Sequence, residues 1–218
     1  MTRRSFDTDL KNLHREVLRM GSIVEKQIHL SIKALEEQDE SLSIQVIKQD
    51  DLVDDLEREI EDKCIKLIAM QQPLAKDLRN VFTTIKIVTD LERMADHAVD
   101  IAKIVIRLKD EKYIRELTDI PRMSLIIQQM IRDSLDAYIN ADSSKAYDVC
   151  KMDDEIDDIY EHSFTELLKY IIEDKSNAKQ ATQFLFVFKF LERIADHVTN
   201  ICEWTIYLVT GETVDLND

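Results

Sequence analysis

Asp50 and Asp54 stand four residues apart, as do Glu92 and Asp96, Asp153 and Asp157, and Glu192 and Asp196. In a helix this spacing turns the two side chains only about 40° apart, so each pair projects from one face. Val53, Leu56 and Ile60 lie beside the first pair, and Val88, Leu91 and Ala95 beside the second, which sets all four carboxylates at the edge of an apolar stripe. In an antiparallel helical hairpin, residues equally far from the turn lie level, because both helices rise equally per residue. Asp54 and Glu92 are each nineteen positions from Pro73, and Asp50 and Asp96 each twenty-three. The same count about a centre between Asp174 and Lys175 pairs Asp157 with Glu192 and Asp153 with Asp196. Two clusters of four carboxylates are therefore expected. Carboxylates at the edge of a core must protonate, find cations or stay hydrated. A hard cation such as Mg²⁺, Mn²⁺, Ca²⁺ or iron meets that need with oxygen ligands, and zinc also accepts carboxylate oxygen. Neutralisation by Arg93 and Arg193, or a solvated helix face, is the alternative. The duplication of the cluster favours metal.

The elements that position these residues follow from periodicity. Apolar residues at Leu10, Leu13, Val17, Met20 and Val24 alternate steps of three and four, predicting a helix that runs on to Leu35. Asp39 suits the N-cap of a second helix with Val46, Val53, Leu56, Ile60, Cys64 and Leu67 on one face, ending near Gln71-Gln72. Pro73 suits the first turn of a third helix, which continues to Ile106. Residues 107–120 are charged and irregular and read as a linker. An offset of 103 positions then superposes Asp39 on Asp142 and the Asp50, Asp51, Asp54, Asp55 set on Asp153, Asp154, Asp157, Asp158. An offset of 100 superposes Leu91-Glu92-Arg93 and Ala95-Asp96-His97 on Leu191-Glu192-Arg193 and Ala195-Asp196-His197. That is the signature of an internal duplication. The fold class predicted is all-α, a tandem pair of three-helix bundles over residues 1–112 and 113–218. Phe184-Leu185-Phe186-Val187-Phe188 could pass for a strand, but the surrounding helical pattern decides for helix.

Composition agrees. Two glycines and two prolines in 218 residues leave few turns, as long helices require. A net charge of −15 disfavours nucleic acid and anionic membrane surfaces as partners. The apolar runs are too short to span a bilayer and the first residues do not form a signal peptide, so a cytoplasmic location is expected. Cys64, Cys150 and Cys202 are odd in number and far apart in the chain, and read as reduced core cysteines. His97 and His197 point away from the stripe and read as surface or interface residues. A Glu-x-x-His di-iron signature, a Gly-rich phosphate loop and a nucleophile elbow are all absent from the sequence, so nothing in it argues for catalysis.

Leu91-Glu92-Arg93-Met94-Ala95-Asp96-His97 and Leu191-Glu192-Arg193-Ile194-Ala195-Asp196-His197 resemble the doubled Glu-Arg-x-x-Asp-His signature of the PhoU phosphate-signalling family. Gln72-Pro73-Leu74-Ala75-Lys76-Asp77-Leu78-Arg79 is similar to that family's segment opening the third helix, and Tyr207-Leu208-Val209-Thr210-Gly211-Glu212 to its C-terminal end. The resemblance spans essentially the whole chain. It implies one metal site at Asp50, Asp54, Glu92 and Asp96 and another at Asp153, Asp157, Glu192 and Asp196. Asp100, a candidate additional ligand because it extends the first series by one more turn, stands where the second unit has Asn200 and the resembling family more usually has such a residue. It implies a negative regulator, not an enzyme, that restrains phosphate uptake and the starvation response. The partners implied are the ATPase subunit of a phosphate ABC transporter, a sensor histidine kinase in many bacteria, and a second copy in a homodimer. A partner contact at Asp77 and Arg79 is not expected to repeat, since the second unit has Asn177-Ala178-Lys179-Gln180 there. The competing readings are a metal-dependent phosphohydrolase and a metal-free helical scaffold.

Overall fold

The computed structural model describes residues 3–216. Among them the regular structure is entirely helical: α1 (Arg3–Glu37), α2 (Glu40–Gln71), α3 (Ala75–Leu108), α4 (Asp119–Asn140), α5 (Ser143–Cys150), α6 (Asp153–Glu173) and α7 (Ala178–Thr210), with a 3₁₀ turn at Lys175–Asn177. The first unit is α1, α2 and α3. The second is α4, a middle helix broken into α5 and α6 at Lys151-Met152, and α7.

The duplication extends to the joints. Helices α1 and α4 both end on a residue in the left-handed region, Gln38 (φ 52°) and Ala141 (φ 50°). In both, the next N–H reaches back to close the helix, Asp39 N to Ala34 O and Asp142 N to Ala137 O, each at 2.9 Å. Asp39 and Asp142 then cap the following helices: the Asp39 carboxylate accepts from Ser41 N (2.7 Å) and Leu42 N (3.1 Å), and Asp142 from Lys145 N (3.0 Å). Pro73 is placed differently from expectation. Gln72, left-handed at φ 46°, terminates α2 by donating its N–H to Ile68 O, and α3 begins only at Ala75 with Leu74 extended at its N-cap. Pro73 therefore sits in the turn, ahead of the helix.

Apolar side chains repeat at helical spacing on α3 and α7, and the two helices pack against each other as well as within their own units. In α7 the Phe184–Phe188 segment buries Phe184, Val187 and Phe188 while Phe186 stays half-exposed, the pattern of a helix and not a strand. Burying each such aromatic or aliphatic side chain contributes roughly 1.5–3 kcal/mol. The interiors of the two units merge into one continuous set of buried residues from Phe6 to Leu208. Between α3 and α4 the connection 109–118 is tied down: Gln38 Nε2 donates to Leu108 O and Glu111 O, Tyr113 OH to Leu35 O, and Arg115 pairs with Asp119 and Glu166.

Candidate metal centres

The first cluster forms on the α2–α3 hairpin. Asp50 and Asp54 on α2 face Asp96 and Glu92 on α3 closely enough for Asp96 and Asp54 both to raise the Asp50 pKa and for Asp96 and Asp54 to raise that of Glu92. Burial is the larger cause for both, and the Glu92 carboxyl is pushed up to about 7. Asp50 is held from a third helix, where the buried Gln27 of α1 donates through Nε2 to Asp50 Oδ1 (3.3 Å) and to Val46 O (3.3 Å). Arg58 pairs with Asp54 at 3.2 Å, while Arg93 pairs with Glu92 at 3.5 Å and lies 3.9 Å from Asp96. Asp100 lies further along α3, paired with Lys103 at 3.0 Å.

Glu57 belongs to this cluster and is absent from the set of candidates. Burial, then Glu61, raise its pKa, Thr89 hydrogen-bonds to it, and it acts on Glu92 in turn. The signal was available: Glu57 and Thr89 are each sixteen positions from Pro73, so the count that paired Asp54 with Glu92 also sets Glu57 at the cluster. Its match in the second unit is Tyr160, so the two clusters differ in charge.

The second cluster forms between α6 and α7 and is more deeply set. Asp153 is only 9% exposed. Burial, followed by Asp157 and Asp196, pushes its carboxyl up to about 7, even though it occupies the first turn of α6, where the helix dipole favours a carboxylate. Thr199 Oγ1 donates to Asp153 Oδ2 at 3.3 Å, the part Gln27 plays for Asp50. Burial, then Glu192 and Asp196, raise the Asp157 pKa, and burial, then Glu192, raise that of Asp196. Lys189 donates to Glu192 at 2.5 Å, and Arg193 lies 3.5 Å from Asp196. The arginines and lysines thus neutralise part of each cluster. They leave Asp153 Oδ1 and Glu192 Oε2 buried without a hydrogen-bond partner.

Those two orphaned oxygens, in a donor set made wholly of carboxylates, fit a hard cation. The side chains do not yet enclose one: among the described residues no three Asp, Glu, His or Cys groups are gathered tightly enough to hold an ion as they stand. Ligation therefore requires carboxylate rotation on helices that already bring the groups level.

His97 and His197 lie on the seam where α3 meets α7. The His97 ring stacks on Phe190 at 5.5 Å and lies 5.8 Å from His197, whose Nδ1 is 3.0 Å from Asp90 Oδ1. Asp77 and Arg79 open α3. The Arg79 guanidinium packs over Gly211, where a Cβ would approach it to 3.3 Å. Cys150 and Cys202, far apart in the chain, are brought into contact by the packing of α5 on α7.

Residues 17–105 and 120–205 each match the PhoU domain, one match per unit. The chain is 58% identical, over the full length of both proteins, to the phosphate-specific transport system accessory protein PhoU homolog of Clostridium acetobutylicum. It is 40% identical to that of Aquifex aeolicus, covering 94% of this chain and 93% of the other. The crystal structure of PhoU from Pseudomonas aeruginosa superposes with a TM-score of 0.90 at 34% identity, over 95% of this chain and all of that one. The phosphate transport system regulatory protein PhoU from Streptococcus pneumoniae gives the same score at 33% identity, over 96% and 99%. The doubled carboxylate hairpin and the matches to both halves lead to one conclusion: the chain belongs to the PhoU family.

Proposed function

We propose that this protein is a cytoplasmic, metal-binding negative regulator of phosphate uptake and of the phosphate-starvation response. It acts by contact with the ATPase subunit of a phosphate ABC transporter and, where one is present, with a sensor histidine kinase, and it works as a homodimer. The observation that carries the reading is the pair of matched carboxylate clusters, with Asp153 Oδ1 and Glu192 Oε2 buried and unsatisfied, in a chain whose relatives bear the name of transport accessory proteins. Asp50, Asp54, Glu92 and Asp96 would hold one centre and Asp153, Asp157, Glu192 and Asp196 the other, with iron, manganese, magnesium or zinc as the ion. The ion's contribution is positive charge, which offsets the repulsion among carboxylates and stiffens each hairpin. Asp100 adds to the first centre by releasing Lys103.

The start of α3 supports a one-sided contact with the ATPase subunit. Leu74 is 80% exposed, and Leu78 and Phe82 follow it on the same face at 42% and 41%, flanking Asp77 and Arg79. The matched positions of the second unit are Asp174, Ala178 and Thr182, so a hairpin of the same kind forms without an apolar stripe. Phe82 also packs edge-on against Trp204 and Tyr207, but Leu74 and Leu78 lie outside the core cluster, and exposed apolar residues of that kind mark an interaction site. No helix among the described residues is long and apolar enough to cross a membrane.

The test is deletion of the gene, with phosphate uptake and starvation-gene expression measured in phosphate-rich medium. Both should be derepressed, and a gene encoding Asp153→Asn and Asp50→Asn together should fail to restore repression. Unchanged uptake and expression in the deletion strain would overturn the reading. So would turnover of a phosphate ester by metal-loaded protein that Glu92→Gln abolishes.

A further inference from the structure

We propose that Cys150 and Cys202 form a dithiol that hydroperoxides oxidise to an intramolecular disulfide bridging α5 and α7. The two thiols are near neighbours: Cys150 packs against the core that contains Cys202, where α5 meets α7, and acts directly on the Cys202 thiol. Cys150 is the last residue of α5 and only partly buried, whereas Cys202 is fully buried in the middle of α7. A disulfide requires the sulfurs to close from contact to about 2.05 Å with the Cα atoms about 5.5–6 Å apart. That closure needs backbone freedom on one side. Lys151-Met152, the break between α5 and α6, supplies it directly after Cys150.

The duplication provides an internal control. The positions matched to Cys150 and Cys202 are Ile47 and Ala102, which pack together with Val46 and Val99 as an apolar contact. There α2 runs unbroken. The fold thus builds this crossing from hydrocarbon in one unit and from two thiols beside a helix break in the other, so packing alone does not call for sulfur at both positions.

The chemistry balances with a peroxide as oxidant. The Cys150 sulfur attacks one peroxide oxygen, the O–O bond breaks, and the thiol proton leaves with the departing hydroxide as water, giving a sulfenic acid on Cys150. The Cys202 sulfur then attacks Cys150 Sγ. The S–S bond forms, the S–O bond breaks, and the Cys202 proton leaves with that hydroxide as a second water. Two thiols are oxidised by two electrons and one peroxide is reduced. Exposure assigns the first attack to Cys150. Contact with Cys150 and burial hold the Cys202 thiol well above its ordinary pKa, which keeps it from competing with Cys150 for the peroxide.

The experiment treats the reduced, full-length protein with hydrogen peroxide, then counts thiols in denaturant and maps peptides without reduction. Three thiols should fall to one, Cys64, with a Cys150–Cys202 peptide pair recovered from the single-chain species isolated in denaturant without reductant, and both thiols restored by dithiothreitol. Cys64→Ser should form the same bridge and retain no thiol. Cys202→Ser should instead accumulate a Cys150 sulfenic acid that dimedone traps, and Cys150→Ser should keep Cys202 reduced. Persistence of all three thiols, Cys150 oxidised in Cys64→Ser protein without the internal bridge, or a bridge found only between two chains would each overturn the proposal.

Discussion

Asp153 carries the heaviest electrostatic burden of the eight clustered carboxylates. It is nearly inaccessible, its neighbours are Asp157, Asp196 and Glu192, and one of its oxygens has no partner. An ionised carboxylate there is a cost to folding, and the metal site proposed above would offset it. Asp153→Asn keeps the bond from Thr199, because the amide oxygen can accept it, while removing the charge. Metal-free Asp153→Asn protein should therefore be more stable than metal-free wild type by on the order of 1–2 kcal/mol and melt higher, and should lose most of any stabilisation that Mn²⁺ gives the wild type. Calorimetry with and without the ion reads both; a lower melting temperature for the metal-free variant would count against the electrostatic account. His14 makes a separate prediction. Its Nε2 is 3.2 Å from Asn80 Oδ1 and its ring meets Tyr138 edge-on at 5.1 Å, and burial lowers its pKa below 6.5. A histidine with a lowered folded pKa takes up its proton more readily when unfolded, so the unfolded state binds more protons and stability falls as the pH drops through about 6.5. His14→Gln should flatten that part of the stability profile between about pH 7 and 5, measured by urea unfolding against wild type. Equal slopes for the two proteins would contradict it.

The hairpin count from Pro73 paired the carboxylates correctly even though Pro73 stands one step outside α3, because the count depends on the centre of the turn and not on where the helix begins. The same count reaches Glu57. It does not reach Gln27, which comes from α1, nor Thr199, whose match in the first unit is Val99. Gln27 lies outside the hairpin, and Thr199, though on α7, has an apolar match in the first unit, so neither leaves a trace in the count or in the repeat. The break at Lys151-Met152 was also illegible, since it maps onto Lys48-Gln49 within continuous α2 and contains no glycine or proline. One local difference does favour a new start there: Asp153, Asp154 and Glu155 all fall in the first turn of α6, and the match of Glu155 is Leu52. The scarcity of glycine pointed correctly to few turns, but it concealed what the turns contain. Gln38, Gln72 and Ala141 hold left-handed backbone that glycine adopts without strain. Ala141→Gly should therefore raise stability by about 0.5–1 kcal/mol, the relief of the left-handed alanine less the added freedom of the unfolded chain. Chemical denaturation gives the value, and a loss of stability would mean that the Ala141 methyl contributes more than its backbone costs.

At the scale of the molecule, the question is what makes two duplicated units one body. The α3–α7 seam carries part of the answer, with Asp90 accepting from Asn200 Nδ2 at 3.2 Å beside His197. A second joint lies where α1 crosses α4. There Gly21 lets Leu135 of α4 and Leu91 of α3 approach the α1 backbone, and α4 also reaches α3, where the Thr84 and Tyr138 hydroxyls meet in the interior at 2.6 Å. A Cβ added at Gly21 would overlap Leu135 Cδ1. Two effects of Gly21→Ala oppose each other. Alanine favours the helix by about 0.8–1 kcal/mol, and forcing a methyl into a packed core costs about 1–3 kcal/mol. Leu135 is only 4% exposed and has little room to withdraw, so the steric cost should win and Gly21→Ala should destabilise by about 1 kcal/mol. Leu135→Ala alone should cost about 2–5 kcal/mol through the cavity it leaves. In the double variant the alanine methyl occupies part of that cavity and the helix-forming gain is free to act. The double variant should accordingly be more stable than the two single losses add up to, by at least about 1 kcal/mol. Strict additivity in the double-mutant cycle would show that the α1–α4 joint is loose enough for Leu135 to move aside, and that the seam between α3 and α7 holds the two units together without it.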